Sequence, residues 1–184
     1  MMQDIVVIRR PDNVPPGFLF KPSDEDLVLL YLKNKTENPQ GFHVEFMPDA
    51  NIYDCHPERL LYTYEFAQGN KDAYFFSKRE KKFGHGDRAN RIVKDGCGLW
   101  SKSIPKKPVN GGVDGRVIGH KSGLVFFNGK KESKDGKTNW LMKEFEISDE
   151  QDQSTKNSEE AGCSNMKSYD LVLCHVYENV EDKK

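Results

Sequence analysis

Between residues 71 and 143 this 184-residue chain repeatedly sets basic side chains beside aromatic and hydroxyl ones. Lys78, Arg79, Lys81 and Lys82 follow the aromatic run Ala73-Tyr74-Phe75-Phe76-Ser77, and Arg88 and Arg91 come next. Lys102, Lys106 and Lys107 follow Trp100, with Ser101 and Ser103 among them; Lys121, Lys130, Lys131, Lys134 and Lys137 complete the set. Ammonium and guanidinium groups in this number bind phosphate oxygens. A strand that adds hydroxyls to the cations can enter a DNA major groove and contact base edges. Flanking lysines would hold phosphates and set the register. The candidate contacts are Lys82, Arg88, Arg91, Ser101, Lys102, Ser103, Lys106, Lys107, Lys121, Lys130 and Lys131.

The formal net charge of −1 hides this constellation. Residues 1–70 hold 6 Lys/Arg against 11 Asp/Glu, a charge of −5. Residues 71–143 hold 18 against 7, or +11, and residues 144–184 hold 4 against 11, or −7. A basic centre between acidic flanks is a strong asymmetry and attracts polyanions. The plain alternative is a solvated lysine-rich face. The excess, however, persists over the same residues that carry the apolar strands, so charge and fold are interleaved.

Other chemistry is thinly represented. Gly84-His85-Gly86-Asp87-Arg88-Ala89 matches a nucleotide-binding G-x-G-x-x-A, but that motif requires a helix after it. Asn90 to Gly98 carries no amphipathic helical pattern, so a basic loop is the better reading. Cys55-His56 and Cys174-His175 lack metal-ligand spacing within one element, and no nucleophile motif accompanies them. Neither a metal nor a cofactor is expected. The four cysteines show no C-x-x-C pair and fit a reducing compartment. No apolar run approaches the roughly 20 residues of a membrane span, and the opening residues are wrongly flanked for a signal peptide. Asn34-Lys35-Thr36 is then a chance glycosylation match.

These side chains need elements to hold them. Ile5–Ile8 is a short β-like run, and Pro15-Pro16-Gly17 breaks the chain. Ser23 can cap a helix, with Asp26 three residues on completing a capping-box pattern. Asp24, Glu25 and Asp26 suit the positive end of the helix dipole. Leu27, Leu30 and Tyr31, with Val28 beside them, recur at helical spacing and should face the core. A second helix begins at Pro57. Strands are expected at Ala73–Ser77, Gly98–Ser103, Thr138–Ile147 and Tyr169–Tyr177, with Val117–Phe127 forming two strands or one long bent one. Leu171, Leu173, His175 and Tyr177 should face one way and Val172, Cys174 and Val176 the other. Trp100 and Trp140 are core candidates. Polar segment 148–168 reads as a flexible loop. The expected class is mainly β (α+β): a twisted antiparallel sheet packed against a few short helices.

Six segments in order then carry a family resemblance. Val14-Pro15-Pro16-Gly17-Phe18-Leu19-Phe20-Lys21-Pro22-Ser23-Asp24-Glu25-Asp26-Leu27-Val28 closely resembles the opening of a NAC domain, the plant transcription-factor module. Ala73–Ser77 resembles its W-Y-F-F-S, Arg88-Ala89-Asn90-Arg91 its R-P-N-R, and Gly98-Leu99-Trp100 its G-Y-W. Lys137–Phe145 resembles K-T-N-W-x-M-H-E-Y, and Leu171–Tyr177 resembles W-V-L-C-R-I-Y. The resemblance implies an N-terminal arm over residues 1–13, a DNA-binding domain over 14–177 and a tail over 178–184. It also implies no enzymatic activity, a nuclear address, double-stranded DNA with a CGT-type core as ligand, and homodimers or heterodimers with other NAC-domain proteins.

Departures from the pattern bear on function. The family's groove-entering strand W-K-A-T-G-T-D-K here reads Trp100-Ser101-Lys102-Ser103-Ile104-Pro105-Lys106-Lys107. On a strand, a lysine moved by one residue changes face. Two extra residues lie between Arg91 and Trp100. The family arginine after P-P-G-F is Leu19, so its cross-dimer ion pair with the residue matched by Asp26 cannot form in the usual way. Val14, Phe18, Leu19 and Asp26 are the expected dimerisation residues. The chain ends directly after the last matching segment, as a fragment or a domain-only protein would. Two readings follow: a sequence-specific DNA-binding domain, or an interaction module with weak DNA binding that dimerises with and inhibits full-length relatives.

Overall fold

Ser23 starts the first helix as its residue types require. Its Oγ accepts the Asp26 N–H at 3.1 Å, and the Asp26 carboxylate accepts the Ser23 N–H in return at 3.2 Å. The structure is a computed structural model that describes residues 6–8, 20–64, 71–79, 91–129, 132–148 and 171–179. From the cap, α1 (Asp24–Asp26) runs without a break into a π-helical segment (Leu27–Leu32) and α2 (Lys33–Glu37). The wider turn is visible in the bond from Lys33 N–H to the Val28 carbonyl, five residues back. Leu27, Val28 and Leu32 are buried, but Leu30, expected in the core, is 54% exposed: the covered stripe runs through Val28, Leu32 and Lys35 and leaves Leu30 on the far side of the helix.

The same face carries a buried lysine. Lys35 Nζ donates to the Asp49 carboxylate at 2.7 Å and to the Phe42 carbonyl at 3.1 Å, which satisfies its charge. Phe42 and Val44 belong to β2 (Phe42–Val44), which pairs in parallel with β1 (Val6–Ile8). The β-like run read at Ile5–Ile8 is thus a paired strand over Val6–Ile8. Pro57 opens α3 (Pro57–Thr63), capped by the His56 ring, whose Nδ1 accepts the Glu58 N–H at 3.2 Å.

The remaining strands form one antiparallel sheet: β3 (Asp72–Lys78), β4 (Gly98–Gly111), β5 (Arg116–Asn128), β6 (Lys137–Ile147) and β7 (Leu171–Glu178). Their spatial order is β3-β7-β6-β5-β4, so β4 is an edge. Val117–Phe127 therefore lies in one long strand. Most of segment 148–168 lies outside the described residues.

Alternation divides the sheet into two covered faces. Val172, Cys174 and Val176 join Phe75, Trp100, Phe126, Trp140 and Met142 beneath α3, together with Leu60 and Leu61. Leu171 and Leu173 join Phe76 and Phe145 beneath the first helix, together with Leu27, Val28 and Leu32. The two sides of β7 divide as expected, and both indoles are buried. Fully burying each large apolar side chain contributes about 1.5–3 kcal/mol, so these two layers are the main force holding the sheet against its helices.

Candidate nucleic-acid interface

The edge strand β4 changes character along its length. Trp100 is 1% exposed and anchors one end in the core. Its N–H also donates outward to the Arg91 carbonyl at 2.9 Å, so this end of the edge is covered. Beyond it, Lys102 to Pro108 are exposed without interruption. The pairing with β5 slips between Lys102 and Ile104 and again between Ile104 and Lys107, and Pro105 falls within the second slip. A proline is tolerated at such an edge, where no ladder donor is needed. Ile104 packs across Gly123: a Cβ there would lie 2.9 Å from three Ile104 carbons, so a side chain would push this part of β4 away. Among the described residues, nothing pairs with the outer edge of β4 from Lys102 to Lys107.

Carboxylates sort the basic residues. Lys102 and Lys107 are exposed and make no ion pair among the described residues. Lys106 is paired with Glu146, and Lys121 with Asp24. Ser101 Oγ donates to Glu132 at 2.7 Å, and Ser103 is exposed. Arg91, a candidate phosphate contact, has its guanidinium 3.7 Å from Glu144, with the side chain 23% exposed. Lys82, Arg88, Lys130 and Lys131 lie outside the described residues. So do Val14, Phe18 and Leu19; Asp26 spends its carboxylate on the helix cap.

Glu144 is the centre of a charge network that the motifs did not disclose. Its side chain is 2% exposed on β6. Arg79 donates through one nitrogen to Glu144 and Glu146, at 2.8 Å each. Tyr53 donates its hydroxyl to the other Glu144 oxygen at 3.3 Å. Burial works against the Arg79 charge, but the two carboxylates outweigh it and raise the guanidinium above its usual range. Burial likewise opposes the Glu146 charge, while hydrogen bonds from Lys106 and Arg79 hold its carboxyl below its ordinary value. Burial, with Glu144 adding to it, pushes the Tyr53 phenol up. One sequence signal was available: Glu144 and Glu146 share the strand face of Trp140 and Met142, and a carboxylate on a buried face needs a cation.

The cysteine–histidine pairs serve packing. Burial pushes the Cys174 thiol up. Burial and then Asp95 raise Cys97 to about 12. His175 stacks on Tyr74 with ring centres 4.2 Å apart and meets Asp72 at 2.7 Å. His56 stands edge-on to Phe126.

The sequence model of the family described as No apical meristem (NAM) protein matches residues 15–147. The chain is 35% identical over 165 residues to NAC transcription factor 29 of Arabidopsis thaliana, covering 90% of this chain and 57% of that protein. It is 36% identical over 167 residues to NAC domain-containing protein 72 of the same plant, covering 90% and 50%. It is 34% identical over 167 residues to NAC domain-containing protein 2 of Solanum lycopersicum, covering 90% and 56%. The chain thus spans about half the length of the curated relatives it matches.

Proposed function

The chain belongs to the NAC (No apical meristem) family of non-enzymatic transcription regulators, and on that premise we propose that it binds double-stranded DNA through the outer edge of β4. One observation carries the reading: from Lys102 to Lys107 an edge strand lies exposed, with its outer side unpaired among the described residues. Such a strand has the width and the donors to enter a major groove. Lys102 and Lys107 would hold phosphates, and Ser103 would meet base edges. Lys82, Arg88, Lys130 and Lys131 add further cations within the same basic segment of the sequence. The protein would act in the nucleus, as a homodimer or a heterodimer with relatives, and would regulate transcription from there.

The inhibitory-partner reading has specific support as well. Ser101, Lys106 and Lys121 are each engaged by a carboxylate of the chain itself, which lowers their availability to DNA. Lysine is a mobile point charge that suits phosphate better than planar bidentate base contact. Fluorescence anisotropy on CGT-containing and scrambled duplexes, over a salt series, separates the readings. The DNA-binding reading predicts Kd rising steeply with salt, with a slope that shrinks when Lys130 and Lys131 are both replaced by alanine. A salt-independent affinity contradicts it. Strong salt dependence with no gap between the duplexes would favour the inhibitory reading.

A further inference from the structure

The acidic flanks of the sequence fold back onto its basic centre, and Glu146 is where this meets the DNA-binding edge. On β6, Glu146 pairs across the sheet with His120 of β5, which pairs with Pro108 of β4. Lys106 therefore reaches inward over β5 to meet it. Both Glu146 oxygens are in use: one holds Lys106, and the other accepts from Arg79 at 2.8 Å. The Glu146 side chain is 15% exposed, whereas that of Lys106 is 50% exposed, so solvent and any ligand reach the ammonium readily.

We propose that Glu146 is a built-in competitor for the DNA backbone, holding the Lys106 ammonium where a phosphate oxygen would otherwise hold it. This rests on the reading that the β4 edge binds DNA. Carboxylate and phosphate oxygens offer an ammonium the same charge-assisted acceptor chemistry. Lysine's flexible stem lets one ammonium swing between them. Arg79 does not behave this way, because Glu144 holds the same nitrogen at 2.8 Å and keeps it inside. Neutralising Glu146 thus frees Lys106 selectively. Glu146 sets the affinity of the edge without touching DNA.

The test is anisotropy with a labelled DNA duplex over a salt series at neutral pH, on the full chain and on Glu146→Gln. One added phosphate contact steepens the slope of log K against log salt by about 0.9, which at 0.1 M salt corresponds to binding roughly 3- to 8-fold tighter. The gain must vanish when Glu146→Gln is made in a Lys106→Ala background. Unchanged or weaker binding by a Glu146→Gln protein with an intact melting transition overturns the proposal. So does a gain that survives without Lys106. Should Glu146→Gln fail to fold, Glu146→Asp retreats from Lys106 by one methylene and must give a smaller gain in the same direction; no gain overturns the proposal. Binding by the unaltered chain with no effect of Glu146 removes this inference alone. An absence of binding by every variant at every salt removes the DNA reading and this inference together.

Discussion

Arg79 and Lys107 are both basic residues of the positive central segment, and they stand in opposite circumstances. Arg79 is mostly covered and grips two carboxylates on β6, one of them almost fully buried. Lys107 stands exposed on the open edge of β4 with no carboxylate partner among the described residues. Sequence charge treats them alike. The fold ties the first into the sheet and leaves the second exposed, as the proposed DNA contact requires. What decides the role of each cation is the carboxylate opposite it, and those carboxylates come from the acidic flanks.

The sharpest way to break this comparison is Arg79→Ala. It leaves Glu144 buried without its main cation, and such a loss costs about 3–5 kcal/mol. Chemical denaturation should show a drop of that size; a change below about 1 kcal/mol would place Arg79 among ordinary surface charges. Arg91 sharpens the comparison from the middle, since it leans on Glu144 at 3.7 Å yet adjoins the edge strand β4. Arg91→Ala should cost about 1 kcal/mol of stability and also weaken DNA binding, measured by paired denaturation and anisotropy. Loss of stability alone would make it a second Arg79. Tyr53→Phe removes a single hydrogen bond to Glu144 and should cost about 0.5–1.5 kcal/mol, with DNA affinity unchanged.

The smallest effect is in the acid limb of stability. Glu146 has a folded-state value below its ordinary 4.5, so its contribution is present above that value and is lost as the pH falls through the lowered one. Glu146→Gln should flatten that part of the stability–pH curve, as followed by melting below pH 5. An unchanged curve would mean that Lys106 and Arg79 do not favour the ionised carboxylate.

Much of this fold was legible from local rules. Ser23 and Asp26 announced their capping box, and Pro57 its helix. The alternation in β7 assigned its residues to two cores because a strand side chain can reach only one face. Leu30 was misread because Leu27, Leu30 and Tyr31 also share helical spacing, and nothing in the residue types showed that the buried stripe would instead run through Val28, Leu32 and Lys35. β2 was missed because His43 interrupts its apolar run, whereas β1, of the same length, lies in the unbroken apolar run Ile5–Ile8. The site was legible as a set of cations but not as two classes of cation. Lys106 and Lys107 are neighbours in sequence, so strand alternation sends them to opposite faces, and the cross-sheet position of Glu146 gives a partner to Lys106 alone.

On the proposed function, the open stretch of β4 binds DNA and contributes little to the fold. Lys102→Ala/Lys107→Ala, measured side by side for DNA affinity and thermal melting, tests it most directly. Removing two phosphate contacts should raise Kd by about one to two orders of magnitude near 0.1 M salt and shrink the salt slope by about 1.8. Stability should change by no more than about 0.5 kcal/mol, as for exposed substitutions away from packed features. An unchanged Kd, or a melting transition that falls in step with affinity, would contradict the claim.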